Sequence, residues 1–238
     1  MSVIGTPRDW AGVIDSKVPE ILQLIVTAWK QIPPGKPDEL EDAITKRLSV
    51  ALHRSRKARQ MMFLILTQVV ELDPTTSDEF GRMDIAFYPT GEGWVPREDV
   101  YFCLECKRLN VIKGTHRRSY AAEYVTLGMV RFVTGQYARA VRHGGMIGYV
   151  RDGDVSRAIT NVDTNVRKQC DRLCMPPPGG FVRSALRPND AGARETHHHR
   201  RHRESPFRIH HLFMSGDPRI EGSLAFKKKS ATKRRRSV

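Results

Sequence analysis

Two acids and a lysine, spaced for neighbouring strands, are the residues of this chain best suited to chemistry. Asp84 lies in GRMDIAFY (81–88), and Glu105 and Lys107 lie in YFCLECKRLN (101–110). Side chains alternate faces along a strand, so Glu105 and Lys107 point one way and Cys106 the other. If the two stretches pair, Asp84 stands beside Glu105, and two carboxylates meet one ammonium. Carboxylates so close repel unless a cation lies between them, and oxygen donors suit a hard one such as Mg²⁺. Taken alone, an acid–x–Lys triplet also describes any solvated strand end. What sets this one apart is the apolar run leading straight into it.

The pattern resembles the restriction-endonuclease-like nucleases of the PD-(D/E)xK superfamily, in particular prokaryotic or phage-encoded members. The resemblance rests on Asp84 and on Glu105-Cys106-Lys107, with Met83 where the family name has proline. It implies an α/β fold with an αβββαβ core, a central mixed sheet flanked by helices, and a site at the ends of the second and third strands. It further implies a Mg²⁺-dependent endonuclease, with Mn²⁺ as a substitute, hydrolysing phosphodiester bonds in restriction or phage defence, DNA being favoured over RNA. Asp84 and Glu105 would ligate the metal with the backbone carbonyl of Cys106, and Lys107 would orient or help deprotonate the attacking water. A glutamate on the helix before the first strand commonly joins such sites; Glu41 fits that place better than Glu39. A homodimer, or a partner protein in a larger defence complex, goes with the same resemblance. A catalytically inactive nucleic-acid-binding or assembly protein of the same fold would also be basic, but the intact Asp84, Glu105 and Lys107 set speaks against lost catalysis.

The elements that must hold these residues are legible from periodicity. Val18, Ile21, Leu22, Ile25 and Trp29 recur at helical spacing within residues 7–31, and PPGKP (33–37) ends that helix. A second helix is expected from Asp38 as N-cap, with Glu39, Glu41 and Asp42 in its first turn, where the macrodipole favours acids. Glu41 differs from the others because it shares a stripe with Ile44, Leu48, Ala51 and Leu52, and an acid on a core-facing stripe needs a partner. The apolar run 61–72 reads as a first, central strand, Arg82–Tyr88 as the second and Val100–Lys107 as the third. Loop 89–99 carries Trp94, suited to stacking on a base or to anchoring the loop. A long helix is expected over 120–143, stopped by Gly144-Gly145, with Arg131 or Gln136 as polar residues near the site. Strand 146–150, a helix from Val155 to Val166, a long loop 175–196 and a strand 207–214 complete the pattern. These readings divide the chain into a helical extension (1–36), a nuclease-like domain (37–216) and a disordered basic tail (217–238).

Charge points to a polyanionic partner. The chain of 238 residues carries 40 Lys and Arg against 26 Asp and Glu, a net +14. The tail residues Lys227, Lys228, Lys229, Lys233, Arg234, Arg235 and Arg236 supply half of this, so the rest is itself basic. Arg108, Lys113, Arg117 and Arg118 follow the acid–x–Lys triplet directly, as a phosphate-contacting rim would. HRSRKAR (53–59) suits a helix C-terminus or phosphate, and THHHRRHRE (196–204) reads as a surface loop or strand edge. Four cysteines, at 103, 106, 170 and 174, have spacings that invite zinc. Cys103 and Cys106 should face opposite sides of a strand, however, so reduced thiols are expected. No apolar run approaches the roughly 18 residues of a membrane span and the N-terminus lacks a signal-peptide layout, so a cytoplasmic protein without membrane association is expected.

Overall fold

The computed structural model describes residues 7–36, 38–55, 60–61, 63–72, 75–90, 100–139, 141–200 and 206–215. Trp94, most of the 53–59 basic cluster and the polybasic tail lie outside them. The architecture is mixed α/β. One seven-stranded mixed sheet, ordered β1-β2-β3-β6-β9-β8-β7, carries helices on both faces. The strands are β1 (Phe63–Leu72), β2 (Glu79–Pro89), β3 (Phe102–Leu109), β6 (His143–Val150), β7 (Val182–Arg183), β8 (Ala193–His198) and β9 (Phe207–Ser215). β1, β2 and β3 run antiparallel in turn, β3, β6 and β9 are parallel, and β8 and β7 return antiparallel. A small hairpin, β4 (Val111–Lys113) and β5 (His116–Arg118), follows β3 directly. Among the described residues no helix is long and apolar enough to cross a membrane.

Helix α1 (Pro7–Trp29) buries Ile14, Val18, Ile21, Leu22 and Ile25 at the expected spacing, against α2 (Glu41–Arg54) and the sheet. It shares one core with both. Trp29 secures its end, stacking on Tyr149 of β6 at 5.3 Å and donating its indole N–H to the Ser215 carbonyl at 2.9 Å. α2 begins at Glu41 with Leu40 at the N-cap and no side-chain cap, so Asp38 is not the capping residue expected from sequence. Ile44, Leu48 and Leu52 face inward, and His53 at its C-terminal end meets the Ile65 carbonyl of β1 at 3.0 Å.

The opposite face is covered by α3 and by α4 (Val155–Lys168). α3 is one run in three parts: α-helical at Ala121–Tyr124, π-helical at Val125–Met129 and α-helical again at Val130–Thr134. It stops far short of residue 143. Gly135 adopts φ 77°, a left-handed conformation that costs glycine little and ends a helix, and the Arg131 carbonyl takes the Gln136 N–H at 2.9 Å. Gly144 and Gly145, expected as a helix stop, instead lie in β6 between two strands. A Cβ on Gly144 would come within 2.6 Å of Phe132 and one on Gly145 within 2.4 Å of Leu104. They are glycines because rings and branched side chains pack over the middle of the sheet.

Two further expectations change. β1 is an edge strand, paired with β2 alone, and leaves Thr67, Gln68, Val70 and Leu72 exposed. Its apolar residues pack on both faces, Leu64, Leu66 and Val69 on one and Phe63 and Ile65 on the other, although it has a strand neighbour on one side alone, and β6 takes the central place. The 196–204 stretch is not a surface segment at its start: Thr196 and His198 are buried in β8, and Arg200 is buried with its guanidinium on the Ala138 and Val141 carbonyls, both at 2.7 Å. That strand also occupies part of the region read as loop.

β8 and β9 bury His198, His210 and His211. Burial holds all three below the ordinary histidine range, His198 at about 4 and His210 at about 3. Their unfolded forms take up a proton near pH 6.5, so the folded state binds fewer protons between about pH 4 and 6.5. The stabilisation is therefore complete above about pH 6.5 and is lost as the pH falls. His198→Gln should flatten the dependence of unfolding free energy on pH in that window by up to about 1.4 kcal/mol per pH unit. Denaturant titrations at several pH values read this directly; an unchanged slope would exclude His198 as a buried neutral imidazole.

Candidate active site

The site forms where β2 and β3 part. Their pairing runs from Phe87↔Phe102 through Ile85↔Leu104. One residue further, the Asp84 carboxylate takes the place of a ladder partner, accepting the Cys106 N–H on Oδ2 at 2.7 Å. Its other oxygen meets the Gln68 amide from β1 at 3.2 Å. The odd-numbered side of β3 turns Glu105 toward α3, while Cys106 packs behind among the residues beneath α1 and α2, as alternation predicts. Cys103 and Cys106 are buried free thiols.

Glu105 is the most enclosed of the acids, with a side chain only 1% exposed. An ionised carboxylate there needs charge and hydrogen bonds. Oε1 receives the Lys107 ammonium at 2.6 Å and Arg131 Nη1 at 3.1 Å. Oε2 accepts the Tyr137 hydroxyl, and Arg131 also donates to that hydroxyl oxygen at 3.1 Å.

Lys107 sits at the centre of the arrangement. Besides Glu105, its Nζ donates to the Cys106 carbonyl at 3.0 Å and to Glu41 Oε1 at 3.1 Å. Glu41 Oε2 accepts the Arg108 N–H at 2.8 Å, so the first residue of α2 is tied to two successive residues of β3. Glu39 turns elsewhere, to Arg47 and, at 3.9 Å, to Arg151. The structure thus brings Asp84, Glu105, Lys107, the Cys106 carbonyl and Glu41 together and leaves Glu39 out. Of the two polar residues weighed on the helix expected over 120–143, Arg131 lies on α3 and reaches the acids; Gln136 lies past its end, against Gly81 of β2.

The donors suit a hard cation in kind, since all are oxygens, and three converge on a point that already holds a cation, the Lys107 ammonium. Among the described residues no three His, Cys, Asp or Glu side chains form a metal-ligand set by themselves. One donor is a backbone carbonyl, and Lys107 and Arg131 stand among the acids. The fit therefore depends on the ammonium giving way to a more highly charged ion.

Charge shapes the proton affinities. Burial, with the Glu105 carboxylate next, pushes the Asp84 carboxyl up to about 7 against the opposing Cys106 N–H and Lys107. Burial works against the charge on Lys107, but Glu105 and Glu41 outweigh it and hold the ammonium above the ordinary lysine range. Burial and the neighbouring carboxylate keep the Tyr137 phenol protonated, as a donor to Glu105 must be.

The basic residues after β3 are partly engaged. Lys113 is exposed on the β4–β5 hairpin. Arg117 meets Asp152 at 3.1 Å, and Arg118 meets Glu123 at 2.7 Å with its guanidinium 4.3 Å from the Tyr120 ring centroid. Arg108 donates to the Glu39 carbonyl at 3.1 Å. Gln68 and Tyr137 were not among the residues singled out in the sequence. Gln68 is a polar residue in an apolar strand, which is a weak signal, and Tyr137 falls in a stretch whose pattern reads as helix.

The raised Asp84 carboxyl makes a testable statement about stability. Its folded proton affinity exceeds the unfolded value of 3.8, so its contribution is full below about pH 4 and is lost as the pH rises through about 7. Asp84→Asn should therefore raise the melting temperature by a few degrees at pH 8 (about 2–4 °C for each kcal/mol in a chain of this size) and leave it nearly unchanged at pH 4. A lower melting temperature at pH 8 would refute an electrostatically strained Asp84.

Compared with family models, with curated proteins and with solved structures, this chain has no match.

Proposed function

We propose that this chain is a metal-dependent endonuclease of the restriction-endonuclease-like αβββαβ type, hydrolysing phosphodiester bonds with DNA favoured over RNA. The observation that carries the proposal is the convergence of Glu105 Oε1, the Cys106 carbonyl and Glu41 Oε1 on one cation, with Asp84 hung from the same strand residue. The succession α2, β1, β2, β3, α3, β6 supports it, since that is the order the resemblance implies. In this reading residues 37–216 are the nuclease domain, 1–36 a helical extension packed against it, and 217–238 a basic appendage.

The residues that would hold Mg²⁺ or Mn²⁺ are Asp84, Glu105 and Glu41 with the Cys106 carbonyl. When bound, the ion would supply Lewis acidity to water and to the phosphate oxygens. The chain's own groups do the rest. The Cys106 N–H fixes Asp84 and leaves Oδ1 directed to the more open side, at the exposed Gln68 amide. Lys107 is held charged, which favours the orienting role over that of a base: it donates a hydrogen bond to the nucleophile or to a phosphate oxygen as negative charge grows. Lys113, Arg117 and Arg118 lie beyond the end of β3, where phosphates flanking the scissile bond would pass.

A second reading is favoured by one feature. Lys107 satisfies three oxygens, so Glu105 and Glu41 are partnered without any ion, as a binding or assembly protein of the same fold would require. Incubating the protein with plasmid, linear and single-stranded DNA and with RNA, in Mg²⁺, Mn²⁺ or EDTA, separates the two. The nuclease reading expects metal-dependent cleavage that Asp84→Ala and Lys107→Ala abolish while binding persists. Undiminished binding by all variants, with no cleavage of any polymer, assigns the protein to the second reading.

The rim makes a separate prediction. Lys113→Ala with Arg118→Ala should weaken binding to all sequences alike and reduce the slope of log affinity against log salt by about 2, one for each phosphate contact. Fluorescence anisotropy across a salt series measures it, and an unchanged slope would remove the hairpin from the interface.

A further inference from the structure

We infer that Tyr137, together with Arg131, is the positioning pair for Glu105: neither needs to touch substrate, and together they fix where the carboxylate points. Its consequence for metal rests on the nuclease reading above, whereas the holding of Glu105 does not. Lys107 alone touches only Oε1 of this carboxylate and would leave it free to pivot. Tyr137 takes the other oxygen, and Arg131 Nη1 closes a triangle by donating to both Glu105 Oε1 and the Tyr137 hydroxyl oxygen. Both ends of the carboxylate are then defined.

The pair is built as one unit. The Arg131 carbonyl accepts the Gln136 N–H at 2.9 Å and the Tyr137 N–H at 3.4 Å, so the left-handed turn at Gly135 returns Tyr137 over the end of its own helix. The Tyr137 ring is anchored edge-on to Phe132, with centroids 5.2 Å apart and planes at 88°. Gly81 of β2 makes room for it: a Cβ there would stand 2.9 Å from Gln136 and 3.1 Å from the Tyr137 ring. Glu71 of β1 holds the following residue, accepting the Ala138 N–H at 3.3 Å. This much support around one hydroxyl is what an oriented ligand requires. Outer-shell partners of metal-binding side chains commonly carry a factor of about 10–100 in metal affinity.

Tyr137→Phe keeps the ring and removes only the hydroxyl. In the metal-free variant, a crystal structure should find Glu105 Oε2 displaced, the carboxylate having pivoted about the Oε1 contacts that Lys107 and Arg131 keep. Calorimetry should find the Mn²⁺ dissociation constant raised about 10–100-fold, with a melting temperature close to wild type. Cleavage should need more Mg²⁺ yet recover at saturation, a change in apparent affinity and not in turnover. Arg131→Lys should restore part of what Arg131→Gln loses, because an ammonium still donates to Glu105. The inference is overturned if Glu105 keeps its place in Tyr137→Phe, or if a wild-type protein that binds Mn²⁺ shows the same affinity in the variant. A wild-type protein that binds no Mn²⁺ refutes the nuclease reading instead, and the metal-free structure then decides on Tyr137 alone.

Discussion

An enclosed carboxylate is the constraint from which the site follows. Glu105 lies on a strand covered on both faces, and an unpartnered charge there would be ejected or neutralised. Its partners come from three places: Lys107 two residues on, Arg131 on α3, and Tyr137 beyond the helix end. Removing a charged partner from such a buried ion pair typically costs about 3–5 kcal/mol. That requirement reaches far into the fold. α3 must stop at Gly135 so that Tyr137 can return, β2 must carry Gly81 so that Tyr137 fits, and α2 must begin at Glu41 so that Lys107 is held from its other side.

Asp84 contributes in the opposite sense. It costs the folded protein stability at neutral pH, because burial and Glu105 both disfavour its charge. A chain selected for stability alone would place an amide there, which could accept the same Cys106 N–H without the repulsion. Carboxylates set against one another at the cost of stability are a mark of functional sites. Each buried histidine of β8 and β9, by contrast, has at least one polar neighbour and no nearby pair of acids, so those groups read as structural.

The grouping of the candidate residues was legible in the sequence because strand alternation is a two-residue rule that tertiary context seldom overrides. Asp84, Glu105 and Lys107 needed only the pairing of β2 with β3, and Glu41 was marked by its place on the inward stripe of α2. The mixed sheet between helical layers was readable for the same reason. Errors gathered where the period carries no directional information. β1 is as apolar as a central strand yet lies at the edge, because apolar content reports that the two faces are covered and not how many strands lie alongside. The stretch 135–142 continues a helical pattern that Gly135 ends, and glycine does not announce whether it stops a helix or, as at Gly144 and Gly145, clears room in a sheet. Tyr137 was hidden by that error. His198 and Arg200 were hidden by polarity, since a basic, histidine-rich run gives no hint that its partners are buried carbonyls.

The place of Lys107 links the two functional readings physically. Three oxygens converge on the Lys107 ammonium, and in the proposed nuclease reading they would take a metal ion once that side chain rotates away. A permanently inert fold would have little reason to keep Asp84 beside this cradle, because the acid adds repulsion and the ammonium does not touch it among the contacts of the site. Asp84 makes sense as a fourth donor for an ion of higher charge than lysine supplies. The place of Asp84 beside this cradle, more than the acid–x–Lys pattern, is therefore what the metal-dependent reading proposed above leans on.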